Sequence, residues 1–368
     1  MLATASPKPQ PGDTVVLHFS HSEIKAVVLE RAGRLQCKSG IFEHDAILAT
    51  PFGRRVPGRP AARGEPIPQP VVLRLTPELW TQTLRHRTQI IYMTDIAVVI
   101  QHLRLRPGSV IAEAGTGSGS LTHSLARAVA PTGKVFTFDF HKSRADEARK
   151  EFASHGLGDV IVSGWCDVCR PGQGVDVPPA LLSVDPKMAG GEGAVVVDGA
   201  EEDGADAPPP ATEGEPPAGY GLDRATVDAV FLDVPAPWLA VPNVLHVLRM
   251  GGAVCSYSPC IEQTLKFCTA LRKSGEFLDL HTVEALTREY APVFPSHEAP
   301  APAPAKQADG NDAAPPATRV VRREGVQFTP RPEGKGHSAY LTFARRRRRD
   351  EAQAVADATA AAPAVAAA

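Results

Sequence analysis

Acidic residues close three apolar runs in this chain: Glu113 after residues 110–112, Asp139 after residues 135–138 and Asp233 after residues 229–232. A carboxylate at the end of a buried strand can accept hydrogen bonds from a ligand lying across the strand ends, or stabilise positive charge on it. Asp233 is the leading candidate for a reacting-centre group, because Val234-Pro-Ala-Pro-Trp238 follows it and proline stiffens the backbone. Its other reading is an ordinary helix N-cap. Glu113 opens the run E-A-G-T-G-S-G-S, in which Gly115, Gly117 and Gly119 lead into a helical pattern from Ser120. Glycines let the backbone approach a ligand closely, and a loop that opens a helix points N–H groups at it. The loop predicts a bound small cofactor.

The loop departs from the dinucleotide fingerprint G-x-G-x-x-G, since the sixth position counted from Gly115 is Ser120. It carries no G-K-[ST], and none of the five tyrosines has a lysine four places on. A nucleotide cofactor and a purely structural turn stay open as alternatives. Asp139, 24 residues after Gly115, falls where such folds hold a ribose, a placement that fits several cofactors.

The elements that must position these residues alternate. Strands are expected at about 110–112, 134–139, 159–162, 227–233, 252–258, 277–286 and 337–344, and helices at about 95–104, 120–129, 141–155, 239–248 and 260–274. This is an α/β pattern: a parallel sheet covered on both faces, with ligands at the carboxyl ends of its strands. Thr76-Pro-Glu-Leu-Trp opens a further helix with Thr as N-cap. The segment 86–92, H-R-T-Q-I-I-Y, has an unusually polar start for a stretch about to be buried. Ahead of these, residues 11–75 read as a small β-barrel-like domain whose basic loops suit RNA docking, and residues 1–10 as disordered. Two stretches, 176–223 and 295–318, are too rich in Gly, Ala, Pro and acid to bury a core and are expected to be disordered insertions. The end, 345–368, reads as a disordered tail of five arginines and an Ala-rich run, the arginines suggesting nuclear import or an RNA contact.

Composition sets the class. At 368 residues the chain can bury a sizeable core, and no apolar run approaches a membrane span, so a soluble intracellular protein is expected. Six cysteines do not make a disulfide framework, and the single C-x-x-C at Cys166 and Cys169 has no second pair to complete a zinc site. The formal charge of −2 hides an asymmetry: nine acidic residues lie within 188–223, leaving 39 basic against 32 acidic elsewhere. That basic remainder suits a polyanionic partner.

The form E-A-G-T-G-S-G resembles motif I of class I S-adenosylmethionine (SAM) methyltransferases. With P-E-L-W-T and H-R-T-Q-I at 77–90, F-L-D-V-P-A-P-W at 231–238, S-P-C-I-E-Q at 258–263 and Y-L-T-F-A at 340–344, it is similar to the catalytic subunit family of tRNA (adenine 58, N1) methyltransferases. The resemblance spans about 12–344 apart from the two insertions. It implies a Rossmann-like seven-stranded sheet, SAM as donor, the T-loop of tRNA as substrate and a non-catalytic sister subunit in a heterotetramer of two plus two. It implies no metal and no membrane.

Carried over by position, SAM would be held by Ile91, Glu113, Gly115, Gly117, Ser118, Gly119, Ser120, Asp139, Arg144, Asp167, Val168 and Asp233. RNA would be contacted by Ser20, His21, Gln89, Pro235, Ser256, Ser258, Pro259, Gln263 and Ser338. Adenine N1 would attack the sulfonium methyl in line, with Asp233 directed at the exocyclic amine. The family usually has Glu where this chain has Asp139, so the ribose contact would be made by a shorter arm. Competing readings are a protein isoaspartyl methyltransferase, which needs neither the N-terminal domain nor the D-V-P-A-P-W turn, and a non-catalytic RNA-binding subunit of the same complex, which could lose its glycines and Asp233. A dehydrogenase is a third.

Overall fold

The computed structural model describes residues 6–20, 23–60, 69–84, 88–170, 219–288, 290–293, 296–298, 320–322, 327–330, 337–348 and 350–351. The chain divides into two units, Met1–Glu284 with Ser338–Ala368, and Ala285–His337.

The first unit begins with β1 (Thr14–Ser20), β2 (Glu23–Val28), the hairpin β3 (Arg34–Cys37) and β4 (Gly40–Glu43), the short helix α1 (His44–Ala49) and β5 (Val71–Arg74). β1 lies between β2 and β5 in a three-stranded antiparallel sheet, and β3–β4 pair separately. Among the described residues these strands do not close into the expected barrel. Val15, Leu17, Phe42, Ile47 and Val72 fill one side, while Val16 turns the other way to pack with Trp80, Leu84 and Ile90. Residues 6–10, expected to be disordered, are placed along this domain: the Phe52 amide donates to the Pro7 carbonyl (3.1 Å) and Arg74 bonds the Ser6 carbonyl.

Thr76 caps α2 (Pro77–Thr83) by accepting from the Leu79 amide at 3.3 Å, as the Thr-Pro pair suggests. There follow α3 (Met93–His102), β6 (Val110–Ala114), α4 (Ser120–Val129), β7 (Lys134–Asp139), α5 (Lys142–Ser154), β8 (Ile161–Trp165), β9 (Val227–Leu232), α6 (Val241–Val247), β10 (Leu248–Ser258), α7 (Ile261–Ser274) and β11 (Phe277–Glu284). After the second unit the chain returns as β16 (Tyr340–Arg346). The main sheet has seven strands in the order β11-β16-β10-β9-β6-β7-β8. β8, β7, β6, β9 and β10 run parallel, and β16 inserts antiparallel between β10 and β11.

Alternation along the strands sorts the core into two layers, since successive side chains leave opposite faces. Val110, Ala112, Phe136, Val230 and Val254 face one layer, with α6 and α7; Ile111, Val135, Phe231 and Cys255 face the other, with α3, α4 and α5. Because β6 has β7 on one side and β9 on the other, the connections reverse direction at β6, and the end of that strand is the topological switch point. Among the described residues no helix is long and apolar enough to cross a membrane.

The second unit is a ribbon by itself: β12 (Tyr290–Val293) pairs with β15 (Gln327–Pro330), and β13 (Ser296–Glu298) with β14 (Val320–Arg322). β13 falls inside the stretch 295–318 expected to be an insertion, so the composition there hides a short paired strand; the rest of that stretch lies outside the described residues. The other expected insertion also ends too late at 223. Tyr220 and Leu222 are buried in the core, Tyr220 stacking on Phe138 with ring centroids 5.4 Å apart.

The arginine run is not a loose tail. Arg345 and Arg346 belong to β16; Arg345 pairs with Asp279 (2.9 Å) and Glu351 (2.8 Å), and the Arg347 amide and side chain bond the Glu276 and Gly275 carbonyls. Arg346 donates to the carbonyl of Leu245 at 2.8 Å and also to that of Leu248, joining the end of α6 to β10. Arg346→Ala leaves both carbonyls without that donor and is expected to cost about 1–3 kcal/mol, measured as a lower melting temperature and denaturation midpoint. An unchanged midpoint would show that these bonds add nothing to stability.

Candidate active site

The glycine loop sits at the switch point. Gly115 has φ +96°, and a Cβ there would lie 2.2 Å from the carbonyl oxygen of Asp233. The Asp233 amide donates to the Ala114 carbonyl at 2.8 Å, so the ends of β6 and β9 are in direct backbone contact. Gly117 and Gly119 also have positive φ, +53° and +73°. A side chain on Gly117 would meet Thr88 Oγ1 at 2.7 Å, and one on Gly119 would crowd Phe152. Gly119 is the N-cap of α4, so the loop delivers the first N–H groups of that helix to the strand ends.

Polar side chains fasten this loop from outside. Ser120 Oγ donates to the Ile91 carbonyl (2.7 Å) and shares a bond with Thr81 (2.9 Å), while Ser118 Oγ accepts from the Thr88 amide (3.2 Å). Thr116 bonds Thr137 at 2.7 Å. The polar stretch before Ile90 therefore has a purpose: Thr88 holds the loop. Thr81, Thr88 and Thr116 were not singled out by spacing, and only the polarity of 86–92 pointed to one of them. Gln89 is exposed beside Thr88, and Arg85 to Arg87 lie outside the described residues.

Asp139 ends β7 with its carboxylate almost fully buried. Oδ1 accepts from the His141 amide and Arg144 Nε, both at 2.9 Å, and Oδ2 accepts from the Gly117 amide at 3.0 Å. The shorter arm thus bonds the glycine loop itself, and Oδ2 keeps acceptor capacity for a ligand hydroxyl. The Cys166 amide donates to the Asp139 carbonyl (3.1 Å), bringing the loop after β8 alongside. There Asp167 accepts from the Cys169 amide (3.0 Å) and pairs with Arg170 (3.2 Å), and Val168 is buried.

Two further acids lie beneath and beside the loop. Burial pushes Glu113 up to about 8; Thr122 Oγ1 donates to its Oε2 at 2.7 Å. Burial likewise pushes Asp233 up to about 7. Tyr257, on β10, is raised to about 12 by burial and then by the charges of Asp95 and Asp233. Spacing gave no signal for Tyr257 or Asp95.

The expected RNA contacts are more scattered. Gln263, at the start of α7, donates to the Pro235 carbonyl at 3.0 Å and so ties that helix to the turn after Asp233. Ser338 donates to Asp95 at 3.1 Å. Ser256 and Ser258 share a bond of 3.2 Å and are buried within β10, beneath the surface rather than on it, while Pro259 is exposed at the strand end. Ser20 ends β1 in the N-terminal domain, and His21 lies outside the described residues. All six cysteines are free, and no group of three or more His, Cys, Asp or Glu among the described residues could hold a metal ion.

A doubly wound sheet with a glycine loop at its switch point and acids at three strand ends defines a class I methyltransferase fold. The fold is that of a SAM-dependent O-methyltransferase from Thermotoga maritima (TM-score 0.62, 21% identity, 95% of this chain and 98% of that one) and of the tRNA (m1A58) methyltransferase TrmI from Aquifex aeolicus (TM-score 0.55, 20% identity, 92% and 98%). The chain belongs to the family described as the tRNA methyltransferase complex GCD14 subunit, which residues 70–184 and 218–346 match. It is similar to the tRNA (adenine(58)-N(1))-methyltransferase catalytic subunit TRM61 of Cryptococcus neoformans, with 35% identity over 289 residues, 78% of this chain and 54% of that protein. The corresponding subunit of Dictyostelium discoideum is 30% identical over 347 residues, 91% of this chain and 95% of that one. The chain spans about half the length of the Cryptococcus relatives it matches.

The two raised acids make stability depend on pH. In the folded protein Asp233 and Glu113 keep their protons where the unfolded chain has lost them, so their contribution is whole below about pH 4 and is lost as pH rises through about 7 and about 8. The melting temperature of the ligand-free protein is expected to fall across that interval and to fall less in Glu113→Gln. Equal slopes in the two proteins would show that Glu113 ionises as freely folded as unfolded.

Proposed function

We propose that this chain is the catalytic subunit of a SAM-dependent tRNA methyltransferase that forms N1-methyladenosine at position 58 in the T-loop. The observation that carries the reading is the contact between Gly115 and the Asp233 backbone, which sets an acidic strand end directly against the glycine loop in a member of this family. The names of the relatives support the target base, and the description of the family as a complex subunit supports a partner.

The residues present fit SAM. The three glycines, all at positive φ, pass too close to Asp233, Thr88 and Phe152 for a side chain, Asp139 Oδ2 can take a ribose hydroxyl, and the loop of Asp167 and Val168 is bonded alongside Asp139 through the Cys166 amide. SAM, when bound, supplies an activated methyl group on a sulfonium. Asp233 then has two tasks. Its carboxylate accepts a hydrogen bond from the exocyclic amine of the target adenine, which orients N1, and it stabilises the positive charge that the ring acquires. An adjacent cation favours the ionised form, so cofactor and substrate lower the raised value of Asp233 toward its working state.

The target base leaves its stack to enter the pocket, at a cost that contacts to the RNA backbone offset. The N-terminal domain and a sister subunit, in a heterotetramer of two plus two, supply those contacts in this reading. A nuclear location, read from the arginine run, has to be carried by side chains other than Arg345, Arg346 and Arg347, which are bonded to Glu351, the Leu245 carbonyl and the Gly275 carbonyl.

Transfer of labelled methyl from SAM to an unmodified tRNA transcript, with and without the partner, tests the proposal. Label is expected on the transcript with adenine at position 58 and not on one with guanine there, and Asp233→Ala is expected to reduce the rate by about 10²–10³-fold. Tight SAM binding with no label on RNA under any condition would overturn the tRNA assignment.

A further inference from the structure

We propose that Asn243 is a positioning residue for the cofactor: its side-chain amide holds the loop carrying Asp167 and Val168 in the conformation that the cofactor needs. The inference rests on the SAM reading above and goes beyond it by naming a residue that touches no ligand. Asn243 lies in α6, the helix that follows the Asp233 turn, and is buried. Its Nδ2 donates to the Val168 carbonyl at 2.9 Å and reaches the Arg170 carbonyl at 3.5 Å, 75 and 73 positions away in the chain. The Cys169 thiol reaches back to the Ala236 carbonyl at 3.6 Å. The loop after β8 and the segment after β9 are therefore braced by polar contacts in both directions, two from Asn243 and one from Cys169.

The brace has a cost that a packing role would not require. Asn243 Oδ1 is buried with no partner among the described residues, and an apolar side chain of the same size would avoid that penalty. What the amide provides in exchange is a donor aimed at the carbonyl of Val168, one of the two loop residues assigned to the cofactor in the reading above. The turn holding Asp233 has its own supports, the Asp233 amide on Ala114 and Gln263 on Pro235, so losing Asn243 releases the cofactor loop while the carboxylate stays.

Asn243→Leu and Asn243→Asp keep the size and, at alkaline pH, remove the donor. Each is expected to raise the dissociation constant and KM for SAM by about tenfold or more, with kcat at saturating SAM within about threefold of the parent and KM for tRNA unchanged. The two variants then separate. Once protonated, the carboxyl introduced by Asn243→Asp can donate to the Val168 carbonyl again, so this variant is expected to recover SAM affinity, relative to the parent, between about pH 8 and about pH 6, and Asn243→Leu to stay flat. The groups packed around the brace do not interfere: burial pushes Cys166 up to about 12, Cys169 to about 11 and Tyr220 well above its ordinary value, and Asp167 is paired with Arg170.

Direct binding by calorimetry on the full chain, below the melting transition of each variant, reads this without activity. If the parent binds no SAM, the functional reading fails. If the parent binds and both variants bind equally well, or if affinity and kcat fall together without recovery at low pH, the positioning role is overturned.

Discussion

Gly115 and Asp233 touch through their backbones, and the arrangement of the site depends on that contact. A carbonyl oxygen 2.2 Å from the place a Cβ would occupy leaves room for hydrogen alone. The positive φ at Gly115 turns the chain away from β6 into the loop, and the amide of Asp233 on the Ala114 carbonyl continues the pairing of β6 with β9 to the last residue before the turn. A cofactor loop and a strand-end acid are thereby fixed to one another without any side chain between them. The Thr88 amide and the side chains of Thr81 and Asp139 then hold the loop through Ser118, Ser120 and the Gly117 amide.

The charges around that contact favour a cationic ligand. Glu113, Asp139 and Asp233 gather at one end of the sheet, and burial makes ionisation of Glu113 and Asp233 unfavourable in the ligand-free protein. Asp139 differs because Arg144 and two amides bond its carboxylate. Three acids at neighbouring strand ends thus serve different ends: Asp139 ties the loop and offers an acceptor, Glu113 is bonded to Thr122, and Asp233 meets the loop at Gly115. A sulfonium brought among them gains more than it would in water, because the attraction acts in a medium of low dielectric.

The sheet and the loop were legible because their signals are local. Val110 to Ala114 is buried at every position, as expected of a buried strand, and the glycines that follow form the expected loop into the helix, all with positive φ. What escaped depends on partners distant in the chain. Arg345 to Arg347 look like a solvated basic tail until β10, β11 and Glu351 are beside them. Ser256 and Ser258 look like polar contacts, yet alternation and pairing with β16 bury both. Tyr220 sits at the edge of a composition too polar for a core, and stacking on Phe138 decides its place. Asn243 bonds two loop carbonyls and the Thr88 amide bonds Ser118 Oγ, contacts between distant backbone and side-chain groups that no residue pattern announces.

Replacing Gly115 by alanine is the most direct measurement of this account, because it adds one methyl group at the contact between loop and carboxylate. The variant's SAM dissociation constant and its methyl-transfer rate at saturating SAM should be determined on the folded protein. Since the methyl has to displace the Asp233 backbone as well as distort the loop, both are expected to worsen, the rate by about 10²-fold, as for a misplacement of about an ångström. Weaker binding with an unchanged saturated rate, or no change in either, would contradict the claim that this one backbone contact sets cofactor and carboxylate together.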